Sequence, residues 1–398
     1  MQRPCRGREL RVLVVCTHEM FLKSTGSTRR LEFYLEALSP PDRIALLVPS
    51  SLRGTGNHFL ARYKTYYFRY FEIGERSLWF LSDVNPFFLT ALCKAVREED
   101  TDIVQIHMPW GVLSGSLLSG RPVVYVAHSV ESDLVGVEVS RFPLLIGKLA
   151  YYYCYVVEFL ACRSARHITC TGDVDRNRFI QKYRAKPSKL SAVPIGVRID
   201  EEDQSLASAI ETRFRHGRDD GKVVAAFLGS YFHVPNKTAI RLITDYIAPR
   251  VWELDQKIMF LIAGNGVPKF AIRNVRSVGF VEDIGEFLRL ADFAVCPVLE
   301  GPGVRTKILD FMKLGVPVVA TQAAMQGLEC KDGRDAIVTR GVDEDFVKAV
   351  VDLANDSEER KRVGANARNF IRERYSFERL RSRLIDLYEQ ICNGLSEN

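Results

Sequence analysis

The sequence predicts an α/β protein with two doubly wound parallel-sheet domains. Three observations support this prediction. Short apolar strands alternate with helical patterns, the alternation restarts after a charged stretch at 211–222, and 398 residues suit two or three domains. Apolar residues make up 47% and charged residues 26%, which is typical of soluble globular proteins and excludes disordered and coiled-coil classes.

The predicted elements follow the chain in two series. The first has a helix at 28–38 and strands at 11–16, 44–49, 102–107, 122–128 and 167–171. The second has strands at 223–228, 259–263, 293–298 and 316–321. Ligands of such sheets bind beyond the carboxyl ends of the strands, so the loops that follow strands are the candidate sites.

The charge is uneven along the chain. Residues 1–200 carry 27 Lys and Arg against 19 Asp and Glu, while the whole chain has a net charge of +6. A basic first half suits an anionic partner such as a nucleic acid, a phospholipid surface or an acidic substrate. The segment 62–71 interleaves basic and aromatic residues, which fits either stacking on single-stranded nucleic acid or a membrane interface. A strand or helix with half of its rings in the core is the simpler interpretation.

We expect no membrane span and a cytoplasmic protein. The most apolar stretch, 142–162, is interrupted by Lys148 and Glu158, and the first ten residues lack the apolar centre of a signal peptide. The nine cysteines are scattered without a CxxC pair, so neither a zinc site nor a thioredoxin-like site is predicted.

The segment 297–321 is the richest loop. Gly301 and Gly303 let a ligand approach the backbone, and a helix pattern begins near Thr306 and ends at Gly315. The apolar residues expected on the core face of this helix are Ile308, Leu309, Phe311, Met312 and Leu314. The free N–H groups of a helix N-terminus attract anions, and Arg305 and Lys307 add two positive charges there. This combination predicts a phosphate or diphosphate site. Each charge taken alone is more typical of an ordinary surface loop with solvated charges, and only their combination favours a binding site.

Three further side chains are candidates. Asp310 follows Lys307 by three residues, so it lies on the same side of the helix and could accept hydrogen bonds from a ribose diol or pair with that lysine. His128 ends the strand at 122–128, although a lone histidine is usually structural. His107 also ends a strand and could line an acceptor site.

The loop after the first strand is not GxGxxG, so it does not predict dinucleotide binding. Gly26, with Ser27 and Thr28, precedes a helix and could offer N–H groups to a phosphate, although many such loops are inert.

The 297–321 segment resembles the donor-nucleotide segment of retaining family 4 glycosyltransferases, the glycosyl transferases group 1, which have the GT-B fold. It contains every element of P-x3-G-x-G-x-R/K-x-K-x-L-E-x-M-x-x-G-x-P-V-V except the Glu, which is Asp310 here. Five other segments resemble the family in chain order: 193–200, 228–239, 263–266, 278–283 and 375–380.

The resemblance implies two Rossmann-like domains facing a cleft. Residues 1–205 would form the acceptor-side domain, residues 206–374 the nucleotide-sugar domain, and residues 375–398 a helix that crosses back to the first domain.

The resemblance also implies roles for single residues. His128 would contact the transferred sugar near the reaction centre, Asp310 would bind the ribose, and Arg305 and Lys307 would neutralise the diphosphate. The remaining donor-site residues by the same resemblance are Gly26, Gly229, Gly301 and Gly303.

The predicted function is therefore that of a retaining glycosyltransferase of hexosyltransferase type. It would move a sugar from a nucleoside-diphosphate sugar to a hydroxyl of a glycan or lipid-linked acceptor. No metal or other cofactor is expected, because basic side chains fill the role of the cation. The expected partners are the donor, the acceptor and the anionic inner face of a membrane, but no nucleic acid. The alternatives are a nucleotide-sugar epimerase of the same fold, and a catalytically weakened GT-B subunit that acts as a binding partner.

Overall fold

The computed structural model describes residues 10–18, 26–38, 40–73, 76–138, 144–199, 201–216, 221–300 and 305–394. The chain divides into two compact units, residues 1–196 with 377–398, and residues 197–376. The boundary expected after residue 205 falls inside a helix, Glu201–His216, which belongs entirely to the second unit.

The first unit contains a seven-stranded parallel sheet and a two-stranded hairpin. The large sheet has the order β3-β2-β1-β6-β7-β8-β9. The strands are β1 (Val12–Cys16), β2 (Ile44–Pro49), β3 (Lys64–Phe68), β4 (Glu72–Ile73), β5 (Arg76–Ser77), β6 (Ile103–His107), β7 (Val123–Val126), β8 (His167–Cys170) and β9 (Leu190–Ala192). All residues of β1 are buried because helices cover both faces of the sheet.

Among the described residues of this unit, seven α-helices precede the second unit in the chain. They are α1 (Gly26–Leu38), α2 (His58–Arg62), α3 (Pro86–Glu98), α4 (Val112–Leu118), α5 (Glu131–Glu138), α6 (Leu144–Ser164) and α7 (Asp173–Tyr183). Val12 and Val14 pack in the cluster that includes α1, whereas Leu13 and Val15 pack in the cluster that includes α3 and α7. This alternation follows from the two-residue period of a strand.

The second unit contains a six-stranded parallel sheet of order β12-β11-β10-β13-β14-β15. Its strands are β10 (Val223–Leu228), β11 (Ile258–Ala263), β12 (Val275–Gly279), β13 (Phe293–Cys296), β14 (Val318–Thr321) and β15 (Ile337–Thr339). Its helices are α8 (Glu201–His216), α9 (Val234–Leu242), α10 (Ala248–Leu254), α11 (Ile284–Arg289), α12 (Thr306–Lys313), α13 (Glu344–Asn355) and α14 (Ser357–Arg374), with a π-helical turn at Ile243–Ile247 between α9 and α10. The chain then returns to the first unit as α15 (Phe377–Cys392), which packs against α1.

These two units confirm the predicted fold class. The segment 62–71 forms edge strand β3 and its flanks, with Tyr63, Phe68 and Tyr70 buried. The hydroxyl of Tyr66 donates to the carboxylate of Glu98 at 2.8 Å. The simpler interpretation of this segment is therefore confirmed, and its rings do not form a free stacking surface.

By length and composition, one helical stretch within the described residues, Leu145–Ser164, could cross a membrane, and 28% of its most apolar window is buried.

Candidate functional site

The second sheet has a topological switch point between β10 and β13. From β10 the chain continues outward through β11 and β12, and from β13 it continues in the opposite direction through β14 and β15. The helices that follow these two central strands are α9 and α12. Ligands of doubly wound sheets bind beyond the strand ends at such a point. The segment singled out by its glycines and cations follows β13 and therefore lies there.

Lys307, in the helix that follows β13, contacts β10 and the helix that follows β10. Its ammonium donates to Asn236 Oδ1 in α9 at 2.6 Å and lies 4.1 Å from the centroid of the Phe227 ring in β10. Burial, reinforced by the charge of Arg305, lowers the pKa of Lys307 to about 8, against the opposing influence of Cys296. The ammonium group of this α12 residue is thus held, incompletely hydrated, against α9 and β10.

Arg305 directly precedes the first turn of α12, in which there is no acidic residue. Its guanidinium donates to the carbonyl of Glu300 at 3.0 Å. Asp310 lies one turn further along α12 and is half-buried. The predicted core face of this helix is confirmed, since Ile308, Leu309, Phe311, Met312 and Leu314 are all buried. A diphosphate at this helix end would meet two cations and free N–H groups.

His233 is a third basic group of this site that the sequence did not single out. It directly precedes α9. Partial burial of the imidazole lowers its pKa, and the charges of Arg305 and Lys307 lower it further, although the residue as a whole is exposed. Its position at the start of the helix after β10 was the available signal, but the sequence does not reveal which strand lies beside β10.

Two glycines let the loops after β10 and β11 touch through their backbones. Gly229 N–H donates to the carbonyl of Ala263 at 2.9 Å. Gly264 has φ +148°, and a Cβ there would lie 2.0 Å from the carbonyl oxygen of Gly229. A Cβ at Gly229 would in turn lie 2.8 Å from the amide carbon of Asn236. Gly229 therefore leaves room for Asn236, the partner of Lys307, and Asn236 Nδ2 donates to the carbonyl of the next residue, Ser230, at 3.2 Å. The predicted donor-site glycines Gly301 and Gly303 lie outside the described residues.

The first unit places His128 at the end of a buried hydrogen-bonded chain of side chains. The hydroxyl of Tyr388 in α15 lies 2.6 Å from Gln105 Oε1, Gln105 Nε2 lies 2.6 Å from His107 Nε2, and His107 Nδ1 lies 2.9 Å from His128 Nε2. Burial lowers the pKa of His107 to about 3 and holds the pKa of His128 well below its usual range, with a smaller contribution from Arg30 in both cases. Both imidazoles are therefore neutral at physiological pH.

This chain of hydrogen bonds fixes the tautomer of His128. The Tyr388 hydroxyl donates to the Gln105 carbonyl oxygen, so the Gln105 amide nitrogen donates to His107 Nε2. The neutral His107 then carries its proton on Nδ1 and donates it to His128 Nε2. The proton of His128 must therefore be on Nδ1, a buried atom that has no hydrogen-bond partner among the described residues. His128 thus carries its one N–H donor on this buried atom.

Two residues of the first unit, His107 and Gly26, were also expected to contact ligands. His107 was expected to line an acceptor site, but it is fully buried behind His128, so that expectation is wrong. Its ring contacts Gln105 and His128, and the ring of Tyr34 lies 5.7 Å away. Gly26 is the exposed first residue of α1, and the loop before it lies outside the described residues. Its predicted contact with a phosphate stays a prediction.

We expect the tautomer of His128 to depend on Gln105. In the wild-type protein, ¹⁵N-edited NMR of labelled histidines should show His128 neutral with the proton on Nδ1. Replacing Gln105 by leucine removes the donor to His107 Nε2, so both histidines should become mixtures of tautomers. The signal is assigned by its loss in His128→Gln. A wild-type His128 with its proton on Nε2 would contradict the assignment.

Among the residues that the structure describes, no three His, Cys, Asp or Glu side chains are placed to hold a metal ion.

Two family models match successive parts of this chain. The model described as Glycosyltransferase Family 4 matches residues 54–201, and the model described as Glycosyl transferases group 1 matches residues 222–356. Together they span most of the chain, one almost entirely in the first unit and the other in the second. Both models describe glycosyltransferases, which supports a glycosyltransferase of the group 1, GT-B type.

Individual proteins agree with this class. An uncharacterised glycosyltransferase of Methanocaldococcus jannaschii is 20% identical over 288 residues, which is 69% of each chain. HepE of Anabaena, solved in complex with UDP, superposes with a TM-score of 0.69 at 14% identity, covering 95% of this chain and 99% of HepE. Sucrose-phosphate synthase of Thermosynechococcus elongatus has a TM-score of 0.70 at 12% identity, with coverages of 96% and 100%. At these identities the two solved structures support the fold.

Proposed function

We propose that the protein is a retaining glycosyltransferase that uses a nucleoside-diphosphate sugar. The observation that carries the proposal is the position of Lys307 and Arg305 at the N-terminus of α12, on the switch point between β10 and β13. A diphosphate is the ligand whose charge and shape suit two cations beside free helix N–H groups. The solved complexes of HepE with UDP and with UDP-glucose support a nucleotide-sugar donor on this fold.

The proposed reaction needs no enzyme nucleophile. The bond between the anomeric carbon and the diphosphate oxygen breaks, and the acceptor oxygen forms the new bond to that carbon. Arg305, Lys307 and the helix N–H groups stabilise the negative charge that grows on the leaving diphosphate. The acceptor attacks on the face that the diphosphate leaves, and its proton passes to the departing phosphate, as the family resemblance implies. This course retains the anomeric configuration.

The other site residues receive their roles by the same proposal. Asp310 accepts hydrogen bonds from the ribose diol, and Gly26, Gly229, Gly301 and Gly303 allow backbone to approach the donor. His128 donates its Nδ1–H to a hydroxyl of the transferred sugar. Because the pKa of this imidazole is lowered well below its usual range, it remains a neutral donor throughout the physiological pH range.

The proposed acceptor is a hydroxyl on a glycan or on a lipid-linked molecule at the inner face of a membrane. The basic first half of the chain supports an anionic surface or an acceptor that carries phosphate. A metal ion is not required in this proposal, because two side-chain cations supply the charge that a divalent ion would otherwise supply.

The test of the proposal is nucleotide binding by calorimetry across UDP, GDP, ADP and NAD, with and without EDTA. We expect one nucleoside diphosphate to bind equally well in both conditions, and its sugar conjugates then to be consumed only when an acceptor is present. Consumption of the donor without an acceptor would favour the epimerase alternative. Stable folding with no nucleotide bound would favour the partner-protein alternative.

Binding of that nucleoside diphosphate should weaken at alkaline pH. The pKa of Lys307 is about 8 in the free protein, so its charge is present below this pH and lost above it. Affinity should be level from pH 7 downward to the range where the phosphate itself titrates, and should fall about tenfold per pH unit above pH 8. Calorimetry at several pH values measures this dependence.

The variant Lys307→Arg provides the matched control, because a guanidinium stays charged throughout this range. It should remove the alkaline decrease even if its affinity is lower. An unchanged decrease in this variant would mean that another group titrates.

A further inference from the structure

Helix α6 has two faces of different character. Its inner face packs into the first unit through Cys154, Glu158, Ala161 and Cys162, each less than 5% exposed. Its outer face consists of apolar side chains that are 36% to 72% exposed. We call it the α6 face, and it comprises Leu145, Ile146, Leu149, Tyr152, Tyr153, Val156 and Leu160. These residues recur at the three- and four-residue spacing that lines one side of a helix over about 23 Å.

The exposed apolar surface extends beyond this helix. Tyr153 donates its hydroxyl to the carbonyl of Phe80 at 2.7 Å, and the two rings lie 5.8 Å apart. Helix α4, which packs against α6, exposes Leu117 and Leu118, and Val84 and Phe87 are exposed at the start of the adjoining α3. Soluble monomers rarely expose apolar surfaces of this extent, and such surfaces typically mark a site of contact with a protein or a membrane.

The exposed charges of α6 itself are all positive. Lys148 and Arg163 are the exposed charged residues of α6, and both are basic. The only acid of the helix in the range 144–164, Glu158, is completely buried. Nearby, Asp83 accepts from Gly111 N–H and from Ser114 N–H and Oγ, so its charge is used within the protein.

The helix is fixed in the domain by Glu158. The carboxylate accepts hydrogen bonds from the hydroxyls of Tyr125 and Tyr183 and from the N–H groups of Glu131 and Ser132. A helix held in this way cannot leave the domain to cross a bilayer without exposing that carboxylate to hydrocarbon, which is costly. It can, however, present its outer face to lipid while it remains packed.

We propose that the α6 face docks the protein on an anionic lipid bilayer, with α6 lying in the plane of the interface. Apolar side chains would enter the acyl boundary, and Lys148 and Arg163 would meet the lipid phosphates. The two tyrosines carry polar hydroxyls on apolar rings, which suits this depth. Docking would bring the enzyme to a lipid-linked acceptor, and in this respect it rests on the proposed function. Binding to the bilayer itself requires no nucleotide.

The experiment is co-sedimentation of the full chain with vesicles of phosphatidylcholine alone or mixed with phosphatidylglycerol. The wild-type protein should bind the mixed vesicles more tightly than the neutral ones. Leu149→Glu with Val156→Glu should weaken binding to mixed vesicles at least about tenfold. Lys148→Glu with Arg163→Glu should remove the preference for phosphatidylglycerol.

Leu254→Glu is the matched control, since this leucine of the second unit is 64% exposed and lies outside the α6 face. It should bind vesicles like the wild type. Circular dichroism and thermal denaturation of every variant show that each is folded. Nucleotide calorimetry then separates a failure of docking from a failure of the proposed function.

Two results would overturn the inference. One is equal binding of mixed vesicles by the wild type and the Leu149/Val156 variant, which includes no binding by either. The other is a wild-type dimer in solution that the same variant dissociates, because the α6 face would then be covered by a second copy of the chain.

Discussion

Replacing Arg305 and Lys307 together by alanine should reduce turnover by a factor on the order of 10³ or more. Both cations lie at the N-terminus of α12, where the leaving diphosphate is proposed to gain negative charge. Loss of one preorganised donor at such a position typically costs 10²- to 10³-fold, and here two are removed. The measurement is initial rate of sugar transfer with the donor found by calorimetry, together with circular dichroism to confirm that the fold is retained.

The matched control removes two positive charges elsewhere in the same unit. Arg241 and Lys257 are exposed residues at the end of α9 and just before β11. Their double alanine variant should keep turnover within about threefold of wild type, since exposed charges act weakly at a distance. Normal activity in the Arg305/Lys307 variant would remove the donor-site assignment.

Replacing Gly264 by alanine should destabilise the second unit by about 3 kcal/mol or more and abolish nucleotide binding. The new Cβ would lie 2.0 Å from the carbonyl oxygen of Gly229, and φ +148° is a conformation that alanine rarely adopts. The loops after β10 and β11 must therefore separate. Because the Gly229 loop holds Asn236, the partner of Lys307, the diphosphate site should be lost with them. Urea denaturation and nucleotide calorimetry measure the two effects.

Gly279→Ala separates the cost of the backbone angle from the cost of the collision. Gly279 has φ +80° but no heavy atom within 4 Å of a Cβ position. This variant should lose only about 1–2 kcal/mol. If the Gly264 and Gly279 variants were equally stable, close backbone contact between the two loops would play no part in the stability of the unit.

The parts of the structure that are encoded locally could be predicted from the sequence. In α12 the apolar spacing, the preceding cations and the terminating Gly315 all lie within a few residues of one another, so the helix and its core face were predicted correctly. Gly315 has φ +76°, the left-handed conformation that ends many helices.

The contacts that depend on sheet order could not be predicted. Asn236 and Lys307 are 71 residues apart and meet only because β10 lies beside β13. His107 ends β6 and His128 lies two residues beyond β7, but their contact required the pairing of these two strands. The sequence also drew attention to the apolar stretch at 142–162, yet the face of α6 that turns inward is fixed by tertiary hydrogen bonds to Glu158. Periodicity alone does not reveal those partners.

The return of α15 to the first unit has a consequence for biosynthesis. The second unit is continuous in the chain and can fold as soon as its last residue is made, whereas the first unit must wait for 377–398. Tyr388, which sets the proton position of His128 through Gln105 and His107, lies in that final segment. A nascent or truncated chain that lacks α15 therefore lacks the group that sets the proton position of His128. The hydrogen-bonded chain that ends at His128 is complete only after α15 has been translated.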